Sequence, residues 1–66
     1  MITYNKLWKM LIDRDMSKTD LRKMANFGTA TLAKLNKNSH VSIEVLLRIC
    51  KVLNCDISNI MEVTND

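Results

Sequence analysis

The chain is 66 residues long, 47% hydrophobic and 26% charged, with a formal charge of +3. That size allows one domain, residues 1–66, near the lower limit for folding on a single apolar core, and the composition excludes a disordered tail. No apolar run is long enough to span a bilayer, and the opening MITYNKLWKM lacks the apolar stretch and cleavage site of a signal peptide, so a cytoplasmic protein is expected.

From Tyr4 to Arg14, the residues Tyr4, Leu7, Trp8 and Leu11 fall on one helical face, with Thr3 placed to cap it. Trp8 and Ile12 lie at the edge of that face and have two readings, core edge or interface. Ser17 caps a second helix, Lys18 to Ala25, on which Leu21, Met24 and Ala25 cluster while Thr19 and Lys23 point away. Asn26 tolerates the left-handed conformation that ends helices, and Phe27 is the hydrophobic residue of the corner. Gly28, the single glycine of a chain without proline, caps the third helix, Thr29 to Lys37. Leu32 and Leu35 point inward there, and the other side carries Ala30, Ala33, Lys34 and Lys37. Such a face, small and cationic, can lie close against phosphates.

Asn36 to Ser42 reads as a loop, with Asn38 available for a positive φ. Ser42 caps a fourth helix, Ile43 to Leu53, with Glu44 in the first turn where a carboxylate favours the helix dipole. Leu46, Ile49, Cys50 and Leu53 form its core face, and Asn54 ends it. Asp56 caps a last short helix, Ile57 to Met61, and residues 62–66 form a tail. The pattern predicts a compact all-α domain of five helices.

Charge is concentrated in the middle. Residues 16–43 hold Lys18, Arg22, Lys23, Lys34 and Lys37 against the one acid Asp20, whereas the remainder holds five basic residues against six acidic ones. A basic segment on a near-neutral frame suits a polyanion, and a merely solvated lysine face is the bland reading. Cys50, Cys55 and His40 supply three ligands where a structural zinc site needs four, so the cysteines read as buried thiols and no metal is expected. His40 has no nucleophile or carboxylate at a recognisable spacing, and no glycine-rich phosphate loop occurs. An enzyme, a cofactor or a small-molecule ligand is therefore not expected.

The stretch MSKTDLRKMANFGTATLAKLNKNSHVSIEVLLRICKVLNCDISNIM, from Met16 to Met61, resembles the lambda-repressor-like (Cro/CI, XRE) helix-turn-helix family, with Tyr4 to Arg14 fitting its first helix. Ser17-Lys18 opens the first motif helix (the motif spans about 17–37), Leu21 is a core position, and Leu32 and Leu35 anchor the second. VSIEVLLRICKVLNCDISNIM is the most specific part of the likeness. There are departures. Arg22 stands where the family usually has a small residue and Asn26 where it has glycine; Gly28 replaces a common serine or threonine cap, and Asn36 and Asn38 replace a glutamate and a glycine. Arg22 would have to lay its stem along the helix and send the guanidinium to water or phosphate.

By position, the resemblance implies that Thr29, Ala30 and Lys34 face base edges in the major groove of double-stranded DNA. It implies a phosphate clamp at Lys18, with Lys23, Thr31, Lys37 and Asn38 as further backbone contacts. The bland alternatives are first-turn helix residues for Thr29 and Thr31 and a solvated side chain for Lys23. Family members commonly dimerise, and Ile57, Ile60, Met61 and Val63, or the Trp8–Ile12 edge, are the candidate surfaces for a homodimer. The implied function is a sequence-specific transcriptional regulator acting as a repressor. The alternative is an antitoxin-like or anti-repressor protein-interaction module of the same fold.

Overall fold

The computed structural model describes residues 1–65, so Asp66 of the expected tail lies outside the described residues. The elements run β1 (Ile2–Thr3), α1 (Asn5–Asp13), α2 (Lys18–Ala25), α3 (Thr29–Asn36) and α4 (Ile43–Leu53), then a 3₁₀ turn (Ile57–Asn59) and β2 (Glu62–Val63). The expectation of five helices gives way to four, and the domain is mostly rather than wholly helical. Its two ends pair as a short antiparallel ribbon, Ile2 opposite Val63 and Thr3 opposite Glu62.

Local chemistry accounts for the helix starts. The Ser17 hydroxyl accepts from the Asp20 N–H at 3.0 Å, and the Asp20 carboxylate accepts from the Ser17 N–H at 3.1 Å, a reciprocal capping box. The Ser42 hydroxyl accepts from the Val45 N–H at 3.2 Å. At α1 the sequence expectation shifts by one residue. Tyr4 is the cap because Thr3 is drawn into β1, from where its hydroxyl accepts from the Asn5 N–H at 3.2 Å.

All four helices stop in the same way. Asp15, Asn26, Asn38 and Asn54 adopt φ of 52° to 56°. The next residue donates its N–H to the carbonyl five positions back: Met16 to Leu11, Phe27 to Arg22, Ser39 to Lys34 and Cys55 to Cys50, at 2.9 to 3.2 Å. This six-to-one bond marks the Schellman stop, completed by a five-to-two bond at α1, α3 and α4 (Asp15 to Ile12, Asn38 to Leu35, Asn54 to Lys51), whereas at α2 the Asn26 N–H also goes to the Arg22 carbonyl. Asparagine and aspartate supply every left-handed position among the described residues, so the single glycine is not needed for any of them. Gly28 has an ordinary extended backbone, φ −83°, and a Cβ there would meet nothing within 4 Å.

Tyr4, Leu7, Leu11, Leu21, Ala25, Phe27, Leu35, Val45, Leu46, Ile49, Cys50, Leu53 and Ile60 form the core, with α2 seated on α4. Met24, grouped with the core by its helical phase, is 58% exposed, since α2 turns Leu21 and Ala25 inward and leaves Met24 beside Met16 on an open groove. The expected fifth helix is a single 3₁₀ turn. Asp56 caps Ile57, and the Asn59 side chain accepts from the Asp56 N–H at 2.9 Å. Continuing the helix would carry the chain away from β1; instead Ile60 enters the core and the strand begins two residues later.

Candidate nucleic-acid interface

The corner between α2 and α3 sets what α3 can present. Two of its carbonyls are held by guanidinium groups: Arg22 donates to the Phe27 carbonyl at 3.4 Å, and Arg48, on α4, donates to the Asn26 carbonyl at 3.0 Å. Arg48 is steadied in turn by Glu44 one helical turn earlier, at 3.9 Å. Arg22, at a position where a small residue was the norm for the resembled family, is thus half-buried with its charge turned onto the corner. Its stem lies at one end of the stop whose other end is buried Phe27, which gives a long side chain a place without separating the helices. Arg48 had no signal in the sequence, because its partner is 22 positions away.

On this fixed corner α3 buries one side chain fully, Leu35, with Leu32 packed on the core edge. Thr29, Ala30, Ala33, Lys34 and Lys37 are exposed, and at 100° per residue they fall within one face. Thr31 is half-buried at its margin. Gly28 supplies no side-chain cap, so the first N–H groups of α3 have no side-chain acceptor. Their partial positive charge adds to that of the lysines. Ala30 and Ala33 keep the relief low, which allows a backbone to come close.

Lys18 is exposed but not loose. Its ammonium lies 4.2 Å from the centre of the Trp8 ring and donates to the Asn36 side-chain oxygen at 2.7 Å. The node joins α1, α2 and α3 and holds a cation at the rim of the α3 face. Lys23, by contrast, stands exposed near Asp20, whose carboxyl is held below its usual value by the Ser17 backbone and hydroxyl, with Lys23 a lesser influence. Asn38 is largely committed: its oxygen accepts from the Tyr4 N–H at 3.0 Å, leaving only the NH2 group for any other contact. The Tyr4 hydroxyl donates to the Ser39 carbonyl at 2.8 Å, so the loop after α3 is pinned to the start of α1. Burial pushes the Tyr4 phenol above its ordinary value, partly offset by a backbone hydrogen bond at Val41.

Among the proposed dimer residues, Ile60 is fully buried and is unavailable to a partner, a correction to its reading as surface: the 3₁₀ turn rotates it into the core. Ile57 and Met61 are half-buried against that core, and Val63 is exposed on β2. Trp8 is half-buried and Ile12 is exposed. Among the described residues no helix is long and apolar enough to cross a membrane.

Two helices joined by a rigid corner, the second turning a basic low-relief face outward, define a helix-turn-helix domain. Residues 6–66 match the Cro/C1-type HTH DNA-binding domain, and the chain belongs to that family. Among solved structures it is similar to the transcriptional regulator VanUg (crystal form II), with 52% identity and a TM-score of 0.95 over 98% of this chain and 87% of that one. No curated protein matches it.

Proposed function

We propose that the chain is a transcriptional regulator that inserts α3 into the major groove of duplex DNA and represses by occupying promoter sequence. The observation that carries this reading is the outward face of α3, with lysines and alanines exposed and Leu35 buried. Thr29, Ala30 and Lys34 read base edges. Thr29 exchanges hydrogen bonds, Ala30 packs on a thymine methyl, and Lys34 donates to guanine O6 or N7. Lys18, Lys23 and Lys37 neutralise phosphates, with Thr31 and the Asn38 NH2 group adding neutral contacts. A single short helix reads few base pairs, so two copies bind two half-sites about one DNA turn apart. Val63, Met61 and Ile57, or Trp8 and Ile12, supply the apolar part of the contact between copies.

The test is selection of bound sequences from random duplexes, followed by titration of the best site at several salt concentrations. Three phosphate-binding lysines on each of two half-sites give a log–log slope of about −5, or roughly a thousandfold loss between about 50 and 200 mM salt. A paired half-site motif with that slope supports the reading. Failure to enrich any sequence, or salt-independent binding, overturns it in favour of a protein-interaction module.

A further inference from the structure

The α4 stop differs from the other three in what it brings together. In the Schellman geometry the residue donating the six-to-one hydrogen bond is brought close to the residue accepting it, and a contact between their side chains frequently accompanies the bond. At α1 those residues are Met16 and Leu11, at α2 Phe27 and Arg22, and at α3 Ser39 and Lys34; at α4 both are cysteines. The Cys55 N–H donates to the Cys50 carbonyl at 3.0 Å, and the Asn54 N–H to the Lys51 carbonyl at 3.4 Å, with Asn54 left-handed at φ 52°. Both thiols are free, Cys50 buried and Cys55 partly open to solvent.

The two sulfurs are also electrostatically aware of each other. Burial pushes the Cys50 thiol up to about 11, and the neighbouring Cys55 thiol, as charge and as hydrogen-bond partner, is the next cause, with Asp56 adding to it. A buried thiol beside a more accessible one gives an asymmetric pair, in which the outer sulfur meets a reagent and the inner one resolves the product.

We infer that Cys50 and Cys55 form a thiol-oxidation site, a dithiol held by the α4 stop that closes to an intramolecular disulfide with a hydroperoxide as oxidant. The Cys55 thiolate attacks one peroxide oxygen and breaks the O–O bond, giving a Cys55 sulfenic acid and hydroxide, which takes up a proton to become water. The Cys50 sulfur then attacks the sulfenic sulfur; its proton leaves with the displaced hydroxyl as a second water. Overall, two thiols and one hydrogen peroxide give one disulfide and two waters. The bond ties the end of α4 to the segment that carries Ile60 into the core. The site lies outside α3 and makes no use of the DNA-binding reading.

The experiment uses the full chain. Hydrogen peroxide is added to the folded protein, and the product is mapped by mass spectrometry without reduction. The expected product is a monomer lighter by about two mass units, with residues 50 and 55 linked. The equilibrium is then measured in glutathione buffers, folded and in urea. Because folding preorganises the pair, the folded chain holds the disulfide severalfold more strongly than the unfolded one, and the oxidised protein melts at a higher temperature. Cys55→Ser removes the internal product, and Cys50→Ser diverts Cys55 to mixed disulfides or chain-to-chain dimers. Overturning results are dimers or sulfinic acid in place of the internal bond in the wild-type protein, or a disulfide no more stable in the folded chain than in urea.

Discussion

Replacing Gly28 by serine stabilises the domain. The position has an extended backbone accessible to any L-residue, and a Cβ there meets nothing within 4 Å, so the substitution introduces neither strain nor a clash. Removing glycine from the unfolded ensemble contributes about 0.4–1 kcal/mol. A serine hydroxyl accepting from the first turn of α3 adds a few tenths over glycine, for a total of about 1 kcal/mol. With an unfolding entropy of about 2.1 cal/mol/K per residue, this raises the midpoint by roughly 7 °C. Gly28→Ala separates the two contributions: it gains the same chain entropy but forfeits glycine's advantage over alanine as a cap, which leaves it near wild type, within about 0.5 kcal/mol. Thermal melts followed by circular dichroism, with urea titrations alongside, give all three values. Serine no better than alanine would show that the hydroxyl does not cap α3. Loss of about 1 kcal/mol or more in either variant would show that the corner needs glycine after all, and the reasoning would be refuted.

Lys34→Ala costs about 1–3 kcal/mol at the preferred site and relaxes selectivity at one base position, whereas Lys37→Ala weakens all duplexes alike and shallows the salt slope by about 1 per copy; binding to a panel of single-base variants separates the two. Asn36→Ala frees the Lys18 ammonium from its hydrogen-bonded post. DNA affinity then drops severalfold without loss of selectivity and Trp8 fluorescence changes, and unchanged affinity would mean that Lys18 takes no benefit from being held. Tyr4→Phe leaves the Ser39 carbonyl without its donor and lowers stability by about 1–2 kcal/mol, read as a shift in the urea midpoint at constant slope. Alkaline stability follows from the two raised acids. The folded state retains the Cys50 proton from 9.0 to about 11, and the Tyr4 proton above 10.0, while the unfolded chain has released both. More protons are therefore bound when folded, and stability is intact below pH 9 and falls as pH rises through that range. Urea midpoints against pH should show this decline, with its upper part reduced in Tyr4→Phe.

The parts of the fold legible in the sequence are those governed by neighbours along the chain. Ser17 and Ser42 mark helix starts, and Asn26 and Asn54 mark stops, because each acts on backbone groups within a few residues; the bounds of α2 and α4 follow directly. The outward face of α3 is likewise a matter of helical phase. What the sequence hides is long-range. Pairing of Ile2–Thr3 with Glu62–Val63 joins segments with no pattern of their own, and it is this pairing that cuts the fifth helix to one turn. Arg48 on the Asn26 carbonyl and Lys18 between Trp8 and Asn36 link residues that no spacing rule connects. Met24 shows the limit of phase itself: it sits on the correct arc of α2, yet it lines an open groove with Met16 and Lys23 and stays exposed.

The terminal ribbon has a mechanical consequence. Met1 and Thr64 face each other at its outer end, each donating to the other's carbonyl, at 3.3 and 2.8 Å. A load applied across the two ends therefore reaches these rungs in sequence rather than all together, and the clasp opens like a zip before tension arrives at any helix.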